Sequence, residues 1–88
     1  MYQIDRTNQL TMKVIDDIYY VTGRGNIVIT EKEEDNPIHI NDKLKISDNV
    51  FEVVGIEQTQ YSKVIGLILR PNDIVKEIIK KGDKISAK

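Results

Sequence analysis

Side chains branched at Cβ dominate this sequence to a degree that a helical protein does not show. Fifteen Ile, eight Val and five Thr stand against one Ala and four Leu. Branching at Cβ stiffens χ1 and crowds the preceding helical turn, whereas on a pleated surface the same shape packs well. The chain is therefore expected to be built mostly of strands. Its 88 residues fall below the usual domain size of about 100–150, which restricts it to one domain with one thin core. A globule of this size buries only roughly 60–65% of its unfolded surface and has little room for an enclosed active site.

Charge and cysteine content narrow the function classes. Thirteen basic and 14 acidic side chains leave a formal net charge of −1, so the chain lacks the broad positive field that drives unspecific phosphate binding. Without cysteine there is no disulfide framework, thiolate metal site or cysteine nucleophile. The opening residues MYQIDRTNQL carry no basic n-region followed by an apolar stretch. Every apolar run is far shorter than the roughly 20 residues a membrane helix needs. These features predict a soluble, cytoplasmic protein that does not contact membranes.

Along the chain, a loose polar lead-in over 1–10 precedes a single domain over 11–88. Apolar residues at Leu10, Met12, Val14, Ile15, Ile18, Tyr20 and Val21 alternate, with an interruption at Asp16-Asp17 that reads as a bulge or bend. Gly23-Arg24-Gly25 supplies a tight turn, because glycine takes positive φ at little steric cost. Ile27 to Thr30 resumes as a strand, and Glu31 to Pro37 reads as a charged surface loop. Ile38-His39-Ile40 alternates briefly, Asn41-Asp42 is a turn pair, and Leu44-Lys45-Ile46 alternates again. Val50 to Ile56 shows mixed alternation, expected from partial burial of both faces. Val64 to Leu69 is nearly continuous and predicts the most buried strand. Pro71-Asn72-Asp73 reads as a helix start with Asp73 as cap, followed by Ile74, Ile78 and Ile79, with Gly82 past the end. Ile85-Ser86-Ala87 closes the chain as a strand. Six or seven short strands with regular turn signals and one helical excursion predict a small antiparallel barrel, with Ile27, Ile56, Leu67 and Leu69 in its core.

The ordered pieces carry a resemblance over about residues 11–88. Val14 to Gly25, with its Gly-Arg-Gly turn, Ile27-Val28-Ile29, Ile38 to Ile46, Val53-Val54-Gly55-Ile56-Glu57, Gly66-Leu67-Ile68-Leu69-Arg70 and Lys81 to Lys88 are similar, in that order, to domain II of translational GTPases, elongation factor Tu above all. The resemblance implies an all-β fold, a small closed or nearly closed antiparallel barrel of six to seven strands, Greek-key-like, with one short helical segment. It also implies a role for Glu57. That position matches a family glutamate that packs on the terminal adenine of aminoacylated transfer RNA. The family's neighbouring pocket residues are replaced here by Gln58, Thr59, Gln60 and Val64, and Asn41 stands where a glycine is usual. No G-x-x-x-x-G-K-[ST] sequence occurs, so the family's GTPase chemistry is absent.

Few residues suit catalysis. Asp16 and Asp17 are neighbours in a strand and point to opposite faces, so they form no carboxylate dyad; one is expected to serve as a turn acceptor. His39 is the sole histidine, expected exposed and with no second His or Cys to complete a metal site. Ser47, Ser62 and Ser86 lack any nucleophile-elbow context. Of Tyr19, Tyr20 and Tyr61, which could offer stacking faces, Tyr19 and Tyr20 should divide between surface and core. Gly23-Arg24-Gly25 serves either as a glycine bulge that bends two strands or as an anion-binding turn presenting N–H groups and a guanidinium. The tail from Lys76 to Lys88 holds five lysines against Glu77 and Asp83, either as a solvated face or as a contact for phosphate or an acidic partner. The expectation is a non-catalytic, stand-alone interaction module without cofactor, metal or nucleotide. Its candidate binding residues are Gly23, Arg24, Gly25, Glu57 and Gln58. Its partner is expected to be a protein, with weak RNA, transfer-RNA or ribosome-associated binding as the alternative.

Overall fold

A computed structural model describes residues 12–31, 38–58 and 63–87; the lead-in, the charged loop at 32–37 and Tyr61 lie outside them. Seven strands form one antiparallel sheet: β1 (Met12–Lys13), β2 (Tyr19–Val21), β3 (Gly25–Glu31), β4 (Lys43–Ile46), β5 (Asn49–Gln58), β6 (Val64–Arg70) and β7 (Lys84–Ala87), with a single-turn helix α1 (Val75–Ile78) between β6 and β7. The strand order is β1-β7-β4-β5-β6-β3-β2. The sheet curls until its ends meet. Val14 is hydrogen-bonded to β7's approach through Asp83 and Gly82, at 2.9 and 2.7 Å, and the adjoining Ile15 N–H reaches Ile29 O on β3 at 2.9 Å. A bridge between Val14 and Thr30 completes the nearly closed small barrel that the alternation predicted.

The Met12–Val21 segment achieves this closure by bending where the acidic pair interrupts its pattern. Asp16 Oδ1 accepts the Asp17 N–H at 2.8 Å, the turn-acceptor role expected of one of them. Past the bend, β2 pairs with the other half of β3, so one bent segment covers the edge of β3 along its length. Hairpin β4–β5 turns through Ser47 and Asp48, both at positive φ (53° and 65°). That is the backbone twist a two-residue hairpin favours.

Inside the barrel, alternate residues of each strand fill the core, with Leu44, Ile46, Phe51, Val53, Leu67, Leu69 and Ile85 all buried. Val75 of α1 and Ile79 just after it join this core. β6 is the most enclosed strand, as its apolar run predicted. Of the four expected core residues, Ile27, Leu67 and Leu69 are buried, Ile27 from the outer face of the sheet; Ile56 is only partly buried against the core.

Three local expectations differ from the structure. The mixed alternation of β5 is a bulge: Val53 pairs with Leu69 and Gly55 with Ile68, so Val54 is an extra residue that reverses which parity faces inward. Ile38-His39-Ile40 is not a strand; Ile38 is buried whereas Ile40 is 48% exposed, because the chain turns there and alternation no longer applies. Asp73 does not cap α1. The N-cap is Ile74 without a side-chain cap bond, and Asn72, one residue earlier, makes the local contacts instead.

Candidate functional site

The bulge at Val54 decides what the outer wall of the barrel presents. Had β5 continued in register, residue 57 would face the core with Phe51 and Val53. Instead Ile56 pairs with the inward Leu67, and Glu57 pairs with the outward Gly66. Cross-strand partners share a face, so the registers place Tyr19, Ile27, Ile68 and Gly55 in one outer row and Ile29, Gly66 and Glu57 in the next. The two glycines let the isoleucines lie flat against the backbone. A Cβ at Gly66 would come within 2.8 Å of Ile27 Cγ2, and one at Gly55 within 2.9 Å of Ile68 Cδ1. This is how Ile27 reaches near-complete burial on an outward-facing position.

Arg24 arrives at this face from the β2–β3 turn. Its N–H donates to Val21 O at 2.9 Å, and Gly23 (φ 86°) and Gly25 (φ 97°) on either side hold conformations that a Cβ would strain. The turn is pinned from beneath by Asn72. The Asn26 N–H donates to Asn72 Oδ1 at 2.8 Å and the Asn26 side-chain amide to Asn72 O at 2.9 Å, while Asn72 Nδ2 donates to Asn26 O and Leu69 O, both at 3.0 Å. Asn72 also lies directly over the Cα of Gly25, leaving room for glycine alone.

So supported, the Arg24 guanidinium pairs with the Glu57 carboxylate. Both side chains are substantially exposed (52% and 37%), so the pair contributes little to stability and its chief effect is to fix where a charge of each sign stands on the outer wall. The structure thus joins four of the five expected binding residues, Gly23, Arg24, Gly25 and Glu57, from segments more than 30 residues apart. Gln58 is separated from them: it pairs with the inward Ile65 and lies exposed at the barrel mouth on the opposite face. Tyr19 and Tyr20 do not divide between surface and core; both are exposed (47% and 63%), because β2 is the end strand of the sheet order and none of the described residues covers them. His39 is exposed, as expected; its backbone N–H donates to Asp42 Oδ2 at 2.8 Å. Among the described residues, no cluster of three or more His, Asp or Glu side chains could hold a metal ion. Sequence reasoning missed the Asn26–Asn72 clasp, and its only local signal was an Asn after the Gly-Arg-Gly turn and another after Pro71.

Set beside known proteins, the chain is 33% identical over 90 residues to the apicoplast elongation factor Tu of Plasmodium falciparum, covering 88% of this chain and 21% of that protein. It is 31% identical over 90 residues to the apicoplast elongation factor Tu of Theileria parva, covering 90% and 21%. The chain resembles a segment of elongation factor Tu. It spans about a fifth of the length of these relatives. No family model matches it, and no solved structure matches it. In this elongation-factor-Tu-like barrel, the Gly-Arg-Gly turn and Glu57 meet on the outer wall.

Proposed function

We propose that the chain is a non-catalytic, cytoplasmic binding module of translation-factor type whose partner is a protein docking on the outer face of β2, β3, β6 and β5. The observation that carries this reading is the Arg24–Glu57 pair seated beside a Tyr and Ile surface. A guanidinium already matched by a carboxylate offers a phosphate little net attraction. Exposed tyrosine and arginine around an apolar floor are the composition of protein interface centres. The second reading, an RNA- or ribosome-associated module, draws on the similarity to elongation factor Tu.

Affinity capture separates the two. Proteins retained by the wild-type chain after ribonuclease treatment, and lost with both Tyr19→Ala and Arg24→Glu, support the protein-docking reading. Sub-micromolar binding of aminoacylated over deacylated transfer RNA at about 150 mM salt, abolished by Glu57→Ala, would overturn it, because binding through a few phosphate contacts fades at that ionic strength.

A further inference from the structure

The bent segment that closes the barrel is joined to β7 and its approach only at its start. Met12 and Lys13 pair with β7, and Val14 is the last link, through its hydrogen bonds to Asp83 and Gly82. From Ile15 onward the segment keeps to β3, by the Ile15 N–H and then by the ladder of Tyr19–Val21. β2 is therefore an end strand, and among the described residues no strand pairs with its second edge. Natural sheets usually blunt such an edge with Lys, Pro or a covering element, because its unpaired N–H and C=O groups accept a further strand. Tyr19-Tyr20-Val21 carries neither charge nor Pro, and both tyrosines are exposed.

Where the segment parts from β7, a cleft of about 230 Å³ opens between it and the end of α1, lined by Asp17, Ile18, Lys76, Ile79, Lys80 and Lys81. Its floor is apolar: Ile79 is buried and Ile18 packs against the core. Its rim is cationic, because Lys76, Lys80 and Lys81 stand against one acid, Asp17, and form no ion pair among the described residues. The turn that carries Lys80 and Lys81 is held in place by the Lys80 N–H donating to Asp83 Oδ2 at 2.8 Å and the Asp83 N–H donating to Lys80 O at 3.0 Å. The volume falls below the roughly 300–1,000 Å³ of small-molecule pockets and suits a single residue.

We propose that the free edge of β2 and this cleft together take the C-terminus of a partner protein, added as a strand whose last side chain is apolar. At a chain terminus the last side chain and the α-carboxylate leave the same Cα, so one residue presents an apolar group to the Ile18–Ile79 floor and a negative charge to the lysines. An internal acidic residue offers the charge without the apolar group. Asp17 and Ile18 come just before Tyr19, so a strand whose last residue lies in the cleft runs antiparallel to β2. Its preceding residues then fall beside Tyr19 and Tyr20, where aromatic and β-branched cross-strand pairs are favourable. Strand addition supplies main-chain hydrogen bonds, and capture of the carboxylate fixes the register. This site goes beyond the docking wall, because it uses the edge of β2 and not the outer face of the sheet.

Fluorescence anisotropy at about 150 mM salt tests it with a labelled hexapeptide of alternating Thr and Val that ends in Val with a free carboxylate. The Kd should be on the order of 100 μM, and amidation of the carboxylate should weaken binding about tenfold. Replacing Lys76, Lys80 and Lys81 together by Gln should cost about the same factor and make the acid and the amide bind alike, as the coupling of two groups in contact requires. All three lysines are exposed, so the fold should be unaffected. A variant of equal charge with Lys43, Lys45 and Lys63 replaced by Gln, all outside the cleft, should bind the peptide as the wild type does. N-methylation at alternate peptide positions should abolish binding in one register and spare it in the other, because only every second N–H of a strand points to a given neighbour. Arg24→Glu, which removes docking on the outer wall, should leave the peptide affinity unchanged, so the two readings fail separately. No binding below about 1 mM, equal binding of acid and amide by the wild type, a hexaglutamate bound as tightly, or tolerance of N-methylation in both registers would each overturn the proposal. Sedimentation showing the free chain already dimeric through β2 would assign the edge to a second copy and overturn it as well.

Discussion

Asn72→Ala is the most informative single change in this barrel, because one side chain there ties the end of β6 to the start of β3. The truncation removes three hydrogen bonds: one accepted from the Asn26 N–H at 2.8 Å and two donated, to Asn26 O and Leu69 O, at 3.0 Å each. All three are partly buried. A typical net contribution is about 1 kcal/mol per bond, and each buried partner left unpaired adds a desolvation cost. Water can reach part of this site, so the three together should amount to about 3 kcal/mol. A domain of this size has a total stability of roughly 4–13 kcal/mol. Since about 1 kcal/mol shifts the melting temperature by about 4–8 °C at this length, Tm should fall by about 12–24 °C. Circular dichroism melting with a parallel urea titration measures both, and the urea slope should remain unchanged because the surface exposed on unfolding is the same. Asn26→Ala, which removes only the side-chain bond to Asn72 O at 2.9 Å, should cost about a third as much. A Tm drop below about 4 °C for Asn72→Ala would show that water replaces the clasp, and the account of what holds the Arg24 turn would fail.

Three further outcomes follow from the same geometry. Gly25→Ala should destabilise more than Gly23→Ala by at least about 1 kcal/mol in urea titrations: both sit at positive φ, but only at Gly25 would the new Cβ collide with Asn72, so equal costs would remove the collision from the explanation. Gly66→Ala should cost about 1–3 kcal/mol by forcing Ile27 off its backbone seat, and a neutral result would show the outer wall to be looser than the contacts indicate. The hydrogen bond from Arg70 Nη2 to Glu52 Oε1 at 2.9 Å holds the Glu52 carboxyl below the usual glutamate range. A carboxyl lowered in this way adds stability above its unfolded pKa of about 4.3 and loses it as pH falls through the folded value. The wild type should therefore melt above Glu52→Gln at neutral pH, with the gap closing below about pH 4, and a gap independent of pH would refute the pairing.

Much of the barrel was legible in the sequence because its governing rule is local. Alternation in Leu44-Lys45-Ile46, the continuous run of β6 and the glycines at 23 and 25 each state which way a residue must point, and their neighbours in the chain suffice to read them. The bend at Asp16-Asp17 was legible for the same reason. What the sequence could not disclose depends on partners far along the chain. The pattern around Val54 suits partial burial of both faces as well as a bulge, and only pairing with Leu69 and Ile68 across the sheet selects the bulge and turns Glu57 outward to Arg24. Asp73 is a better cap than Ile74 by local chemistry, yet the chain spends its turn geometry on Asn72, whose partner Asn26 lies 46 residues away. Tyr19 and Tyr20 alternate as a half-buried strand should, and both are exposed because β2 ends the sheet. The lysines at 13 and 84 are unremarkable in sequence, 71 positions apart; the antiparallel register of β1 with β7 makes them neighbours. Side-chain direction is a property of the local backbone, whereas the company a side chain keeps is set by strand pairing, and in this small barrel that pairing decides the candidate sites.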